Sequence, residues 1–289
     1  MKAAVTAIKL FEKFANDGFR GKITEKFFSG LLKIIKPRGK LVLENLARVY
    51  PESSEQWRKN IRSQVYENIA WTLTETLALQ RDHSQAFQWV KSVKNVEIVN
   101  DLMAKNQGAL LLTSHFGNWE LAGSWAAQNA IKHGHELHVI FQEMHDEDIN
   151  NYVLETRTRS GMAMIDKNFS VMKIVHMIKK GAHIALLNDV SGNGRVKVPF
   201  MGIEATNMPG AALMAMLSGC PVIPACLYRN APFEHELEFF EPLKLPAENE
   251  ISDREERLRL IILEMNKAIE KFVRKRPELW FWLHKRWRK

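Results

Sequence analysis

The chain has 289 residues, 46% of them apolar, which affords a sizeable core and excludes global disorder. Its 41 Lys/Arg outnumber 33 Asp/Glu for a net charge of +8, and residues 271–289 alone hold eight of the bases against one Glu, an excess suited to phosphates, an anionic membrane or an acidic protein. No apolar run of about 18 residues argues for a spanning helix and no cleavable signal is evident; Cys220 and Cys226 lack zinc-ligand spacing and read as two reduced, buried thiols.

The first 36 residues read as basic amphipathic helices. Val5, Ile8 and Phe11 run with Lys2, Lys9 and Lys13. Ile23, Phe27, Leu31 and Ile35 then recur every four residues, with Phe28 and Leu32 beside them and Lys22, Lys26, Lys33 and Lys36 at the flanks. Two readings fit this stripe: it lies in a membrane interface, or it packs on the domain core. Pro37-Arg38-Gly39 ends it. A helical segment through Val42-Leu43-Glu44-Asn45-Leu46 stops at Tyr50-Pro51, and Ser53-Ser54-Glu55-Gln56 resembles a capped start. Ile61, Val65, Ile69, Leu73 and Leu77 continue that helix. Residues 1–95 therefore form a helical N-terminal region of one domain rather than a domain of their own.

From residue 96 the rhythm changes to alternation. Strands are predicted at 109–113, 137–141, 184–188, 222–227 and 237–240, and helices at 119–131, 148–160, 171–180 and 210–217, with a last long helix over 253–275 before Pro277. This predicts an α/β core over 96–289, a mixed β-sheet flanked by helices. Ligands of such sheets sit at the carboxyl ends of strands. His115 and Asp189 both follow predicted strands, so both are expected to open on one cleft.

The stretch from Leu110 to Glu120 is the focus. An apolar strand stops at His115, Gly117 and Asn118 break the pattern, and Trp119-Glu120 begins a helix. Positions five apart on one helix do not meet, so His115 must precede the helix and Glu120 lie in its first turn, with Asn118 as N-cap. A Glu there is favoured by the helix dipole and can hold one imidazole nitrogen while the other acts as general base. A capped helix with an ordinary first-turn acid fits the same residues.

Other motifs weigh less. Asp189 before Ser191-Gly192-Asn193-Gly194 lacks the bidentate acid of a calcium loop, since Phe200 stands at its twelfth place, and reads as a turn. Arg157 and Arg159 near a helix end suit carboxylate or phosphate, or simply complement the dipole. His133, His135 and His138 read as a solvated turn, not a metal site. Phosphate-loop, dinucleotide-binding and nucleophile-elbow motifs are missing. The tail from Trp280 to Lys289 mixes aromatics with bases. It suits nucleic acid, a lipid headgroup zone, or packed aromatics with snorkelling charges.

Taken together, these blocks resemble the lipid A biosynthesis acyltransferases, the late lauroyl/myristoyl transferases of Gram-negative envelopes, within the wider glycerol-3-phosphate acyltransferase-like superfamily. Asn45-Leu46 with Pro51 resembles the family's early block. His115-Phe116-Gly117-Asn118-Trp119-Glu120 matches its His-x4-Asp/Glu motif. Arg157-Thr158-Arg159 falls at its arginine block, Asp189 with Val198-Pro199-Phe200-Met201-Gly202 at its Asp…Val-Pro-Phe-Phe-Gly segment, and Pro277-Glu278 with Trp282-Leu283-His284-Lys285-Arg286 at its ending. Two positions depart: the start is charged and amphipathic instead of transmembrane, and Val190 stands where many relatives have Gln or His.

The resemblance implies transfer of a fatty acyl group from acyl carrier protein, or less often acyl-CoA, to a hydroxyl of a glycolipid acceptor, with no cofactor and no metal. His115 would take the hydroxyl proton and Glu120 would orient it. Backbone amides at Gly117–Asn118 or the Arg159 side chain would meet the oxyanion, or Arg159 would hold an acceptor phosphate; Arg157 and Asp189 would bind substrate. The partners implied are acyl carrier protein, an anionic membrane surface and the glycolipid, with no nucleic acid, at the cytoplasmic face of the inner membrane. An acyltransferase acting on another lipid, such as a lysophospholipid or a phosphatidylinositol mannoside, and a non-enzymatic membrane- or nucleic-acid-binding protein are the rival expectations.

Overall fold

The computed structural model describes residues 2–191 and 196–287, with side chains from residue 5 onward. The turn expected at 192–194, the Lys2 side chain and the last two tail bases, Arg288 and Lys289, lie outside the described residues.

Four helices open the chain: α1 (Lys2–Phe14), α2 (Phe19–Ile35), α3 (Gly39–Val49) and α4 (Glu55–Leu79). The Ser54 side chain caps α4 by accepting from Trp57 N, as the Ser-Ser-Glu-Gln start predicts. A short α5 (Gln85–Trp89), β1 (Val90–Lys94) and α6 (Val96–Ala104) lead into the core. There follow β2 (Ala109–Thr113), α7 (Trp119–Lys132), β3 (Leu137–Phe141), α8 (Glu147–Arg159), β4 (Met162–Asp166), α9 (Val171–Lys179) and β5 (His183–Leu187). The hairpin β6 (Val196–Phe200) and β7 (Ile203–Asn207), α10 (Gly210–Ser218), β8 (Val222–Ala231), β9 (Glu234–Phe239) and α11 (Arg254–Lys275) complete it.

The main sheet has seven strands in the order β1-β9-β8-β2-β5-β3-β4. All neighbours pair in parallel except β8 and β9, which are antiparallel, so the sheet is mixed as expected. Its central strands β2, β5 and β8 read as apolar runs because both faces are covered, whereas β9 alternates in burial and the edge strand β1 is largely polar. Along β2, Leu110 and Leu112 join one core with α3, α10, α11 and the C-terminal tryptophans, while Ala109 and Leu111 join the other with α6 and α7.

The α2 stripe faces outward, while Ile8 and Phe11 of α1 and Phe28 of α2 pack against the core. α2 turns Gly21, Thr24, Glu25 and Ser29 inward along α4 and leaves Ile23, Phe27, Leu31, Ile34 and Ile35 exposed. Phe19 is 76% and Ile34 80% exposed. Of the two readings of this stripe, core packing does not hold for these residues. Among the described residues no helix is long and apolar enough to cross a membrane.

The tail does the reverse. Trp280, Trp282, Arg286 and Trp287 are buried. Asn45 Nδ2 donates to Trp282 O and His284 O, each at 3.0 Å, and Arg286 donates to Thr206 O and Asn207 Oδ1. Packing therefore explains the described tail aromatics. The segment crosses the strand ends through an antiparallel bridge between Phe116 and Trp280, which brings it over His115.

Candidate active site

Parallel register places the key pair. β2 and β5 are adjacent, with Thr113 opposite Leu187. Two residues beyond each strand end stand His115 and Asp189, so the pleat carries them out together at the carboxyl edge. Asp189 Oδ1 lies 2.8 Å from His115 Nδ1. Asp189 Oδ2 accepts from His115 N at 2.9 Å and from Trp280 Nε1 at 2.8 Å. With Nδ1 facing a carboxylate, the proton belongs on Nδ1 and the lone pair on Nε2. Burial of Asp189 works against its ionisation, but the His115 charge and hydrogen bonds outweigh it and hold the carboxyl well below the usual range.

The expected pairing of His115 with Glu120 is therefore corrected. Glu120 does sit in the first turn of α7, and Asn118 is its N-cap, accepting from Leu121 N at 3.0 Å. Its carboxylate, however, turns to Arg157, which donates through Nε at 3.0 Å and Nη2 at 2.6 Å, and to Trp119 Nε1 at 3.1 Å. A forked Arg–carboxylate pair of this kind engages both oxygens. Asp189, expected as a substrate-binding residue, holds the imidazole instead.

The other predicted residues divide. Gly117 and Asn118 form the turn itself, but Gly117 N donates to Leu279 O at 2.9 Å, so this amide is not open to a substrate oxyanion. The amides of Trp119 and Glu120 begin α7 and have no acceptor within the helix. Arg157 joins the site through Glu120. Arg159, two residues on, points to the opposite side of α8. It is 43% exposed, 3.9 Å from Glu155, on a surface groove with Lys9, Lys13 and Arg81, and it does not reach the site.

Aromatic rings close around His115, which is 20% exposed. The centroids of His284, Trp119 and Phe281 lie 4.8, 5.1 and 6.1 Å away. Burial pushes the His284 ring down to about 4, so it is neutral at neutral pH and adds no charge beside His115. His115, Asp189 and His284 bring one donor atom each within 4.8 Å of one another. Both Asp189 oxygens accept N–H bonds, so the cluster forms a hydrogen-bonded pair with a neutral neighbour.

Trp119 also borders an apolar cleft between α7 and the sheet, of about 710 Å³ counting the space open to solvent. Leu111, Leu137, Val139, Leu187, Leu237 and Phe239 line it; Ala122, Gly123, Ala126, Ala185 and Ala225 leave the room; and Thr113, Glu120 and Arg157 provide its polar end. The sequence signal for the cleft was the run of small residues on one face of α7, and that for the His–Asp pair was the placement of both residues just past a strand.

The model of the bacterial lipid A biosynthesis acyltransferase family matches residues 6–289. The chain is 28% identical over 265 residues to the lipid A biosynthesis lauroyltransferase of Escherichia coli K12, covering 89% of this chain and 81% of that one. It is 24% identical over 259 residues to the palmitoleoyltransferase of the same organism, covering 88% and 80%, and 24% identical over 271 residues to a lipid A biosynthesis acyltransferase of Haemophilus influenzae, covering 91% and 80%. With a family model matched along almost its whole length, the chain belongs to the bacterial lipid A biosynthesis acyltransferase family.

Proposed function

We propose that this enzyme transfers a fatty acyl group from an acyl carrier protein thioester to a hydroxyl of a lipid A precursor, with His115 as general base and Asp189 as its partner. The observation that carries this is the His115–Asp189 pair beside the cleft that Trp119 borders. His115 Nε2 takes the acceptor hydroxyl proton as the oxygen attacks the thioester carbonyl. Asp189 fixes the tautomer and stabilises the imidazolium, as the acid does in a serine-protease triad. The C–S bond then breaks, the new C–O bond remains, and the imidazolium returns its proton to the leaving thiolate. Base assistance of this type contributes about 10²–10⁴ in rate. The first-turn amides of α7 and its dipole favour the oxyanion. The cleft receives the acyl chain, and the Glu120–Arg157 pair forms its polar end.

The surface supports an interfacial attachment at the inner membrane. The outward stripe of α2, from Phe19 to Ile35, is flanked by Lys22, Lys26, Lys33 and Lys36, a pattern that beds apolar side chains among acyl chains and bases among anionic headgroups. The net charge of +8 also suits an acidic carrier protein as donor.

The test is His115→Ala assayed with acyl carrier protein thioester and lipid A precursor, product read by mass spectrometry. Transfer falls at least 10²-fold with folding retained. Undiminished transfer by a folded His115→Ala protein refutes the reading, and transfer from acyl-CoA alone reassigns the donor.

A further inference from the structure

Beneath the turn at 115–118 lies a buried ionic group that contacts neither His115 nor Asp189. α4 carries Asn68, Thr72 and Glu75 on one face, at spacings of four and three, and all are buried. Asn68 Nδ2 donates to Leu279 O at 3.1 Å, Thr72 Oγ1 to Gly117 O at 3.0 Å, and Asn118 Nδ2 to Glu75 Oε2 at 2.9 Å. From β8, Arg229 Nη2 donates to Glu75 Oε2 at 2.8 Å and to Thr72 Oγ1 at 3.1 Å, while its Nη1 engages Asn68 Oδ1. Phe233 N donates to Glu75 Oε1 at 3.1 Å, and His235 Nε2 lies 3.1 Å from that oxygen.

Burial by itself would raise the Glu75 carboxyl; Arg229 and His235 outweigh it and hold it well below the usual range. Replacing such a buried ion pair by apolar groups is often neutral or stabilising, so stability alone does not call for one. A charged network does what apolar packing cannot: it aims specific groups. The turn needs aiming. Gly117 has φ +59°, and a Cβ there would fall 1.9 Å from Leu227 O, so the backbone is squeezed against β8 with no side chain to steady it.

The geometry points to Glu75, Thr72 and Arg229 as positioning residues for acyl transfer, holding the Gly117 carbonyl and the Asn118 side chain so that His115 and the first amides of α7 keep one frame. This rests on the proposed transfer by His115. It also makes α4, whose outer side carries α2, part of the catalytic apparatus.

Thr72→Val, Thr72→Ser and Glu75→Gln are compared with wild type and His115→Ala. Release of free thiol from an acyl carrier protein thioester gives kcat and KM. Amide hydrogen exchange over residues 116–122 reads the turn without turnover. Thr72→Val lowers kcat about tenfold and Glu75→Gln about 100-fold, the scale of a misplaced reacting group. In both, KM for the donor stays within about threefold, exchange quickens in 116–122 alone, and Thr72→Ser restores wild-type values. Wild-type kcat in both variants, a loss confined to KM, or unchanged exchange overturns the proposal. If Glu75→Gln does not fold, the Thr72 variants decide by the same criteria. If wild type and His115→Ala release thiol equally, the transferase reading fails and exchange alone decides the positioning role.

Discussion

Replacing Asp189 by Asn separates the two carboxylates near His115. Asp189 accepts three N–H bonds: from His115 Nδ1 on Oδ1, and from His115 N and Trp280 Nε1 on Oδ2. Asn has one acceptor oxygen and one NH2 group. If the oxygen takes the Oδ2 place, the two fixed donors keep their acceptor, and the NH2 faces His115 Nδ1. The imidazole must then accept at Nδ1 and carry its proton on Nε2, which removes the base. The opposite flip sets NH2 against two N–H donors and costs more. In a serine-protease triad the wrong tautomer costs about 10⁴ in kcat; the same trap here predicts a loss of 10³–10⁴, about 4–5.5 kcal/mol of barrier. The donor KM stays near wild type, because the cleft is untouched. Glu120→Gln leaves the imidazole alone and unpairs the half-buried Arg157, a stability loss on the order of 3 kcal/mol with a smaller effect on kcat. Steady-state kinetics on both variants, with denaturant melts, is the assay. Asp189→Asn within tenfold of wild-type kcat, or Glu120→Gln showing the 10⁴ loss in its place, refutes the assignment.

Three further outcomes are expected. Gly123→Leu pushes a side chain from α7 into the cleft, its Cβ 3.0 Å from the flexible Met162 Sδ; losing burial of two acyl methylenes, about 1.6 kcal/mol, shifts kcat/KM toward shorter chains by about tenfold, read in competition between donors of different length. Phe19→Glu with Ile34→Glu leaves the melting temperature unchanged, since the two side chains are 76% and 80% exposed, and lowers binding to anionic vesicles at least tenfold; unchanged sedimentation with vesicles would remove α2 from the interface. The third concerns His183, buried and pushed down to about 4 chiefly by burial. An unfolded chain protonates this ring near 6.5. Between those values the unfolded state binds more protons, so the stability tied to a neutral His183 is complete above about pH 6.5 and is lost as pH falls toward 4, by up to about 1.4 kcal/mol per unit. Urea titrations at pH 7.5 and 5 should show a steeper decline for wild type than for His183→Leu, and equal declines would count against a neutral native ring.

Much of the architecture was legible because its signals are local. Apolar runs marked β2, β3, β5, β8 and the end of β9, and the caps Ser54 and Asn118 fixed two helix starts. What escaped had weak or conflicting local signals. β4, Met-Ala-Met-Ile-Asp, is poor in strand-forming types and pairs only through its neighbour β3. The β6–β7 hairpin turns at Met201 and Gly202, both at positive φ, and Met is not a residue that announces such a turn. The orientation of α2 was undecided for a related reason: the period shows that a face exists, but small and polar residues such as Gly21, Thr24 and Ser29 pack on α4, so hydrophobicity pointed away from the buried side.

The site divides along the same line. That His115 ends a strand and Glu120 opens a helix is a statement about neighbours in sequence, and it holds. Which carboxylate reaches the imidazole is a statement about neighbours in the sheet. In a parallel sheet, residues at equal distance past paired strand ends stand side by side, whereas a first-turn helical acid is carried off toward the next layer. Thr113 opposite Leu187 therefore favours Asp189 over Glu120 before any side chain is placed. Glu120 is then released to hold Arg157 at the cleft, and Arg159, on the far side of the same helix, is released from the site altogether. The pairing of β2 with β5 is the non-local fact from which the contact of His115 with Asp189 follows.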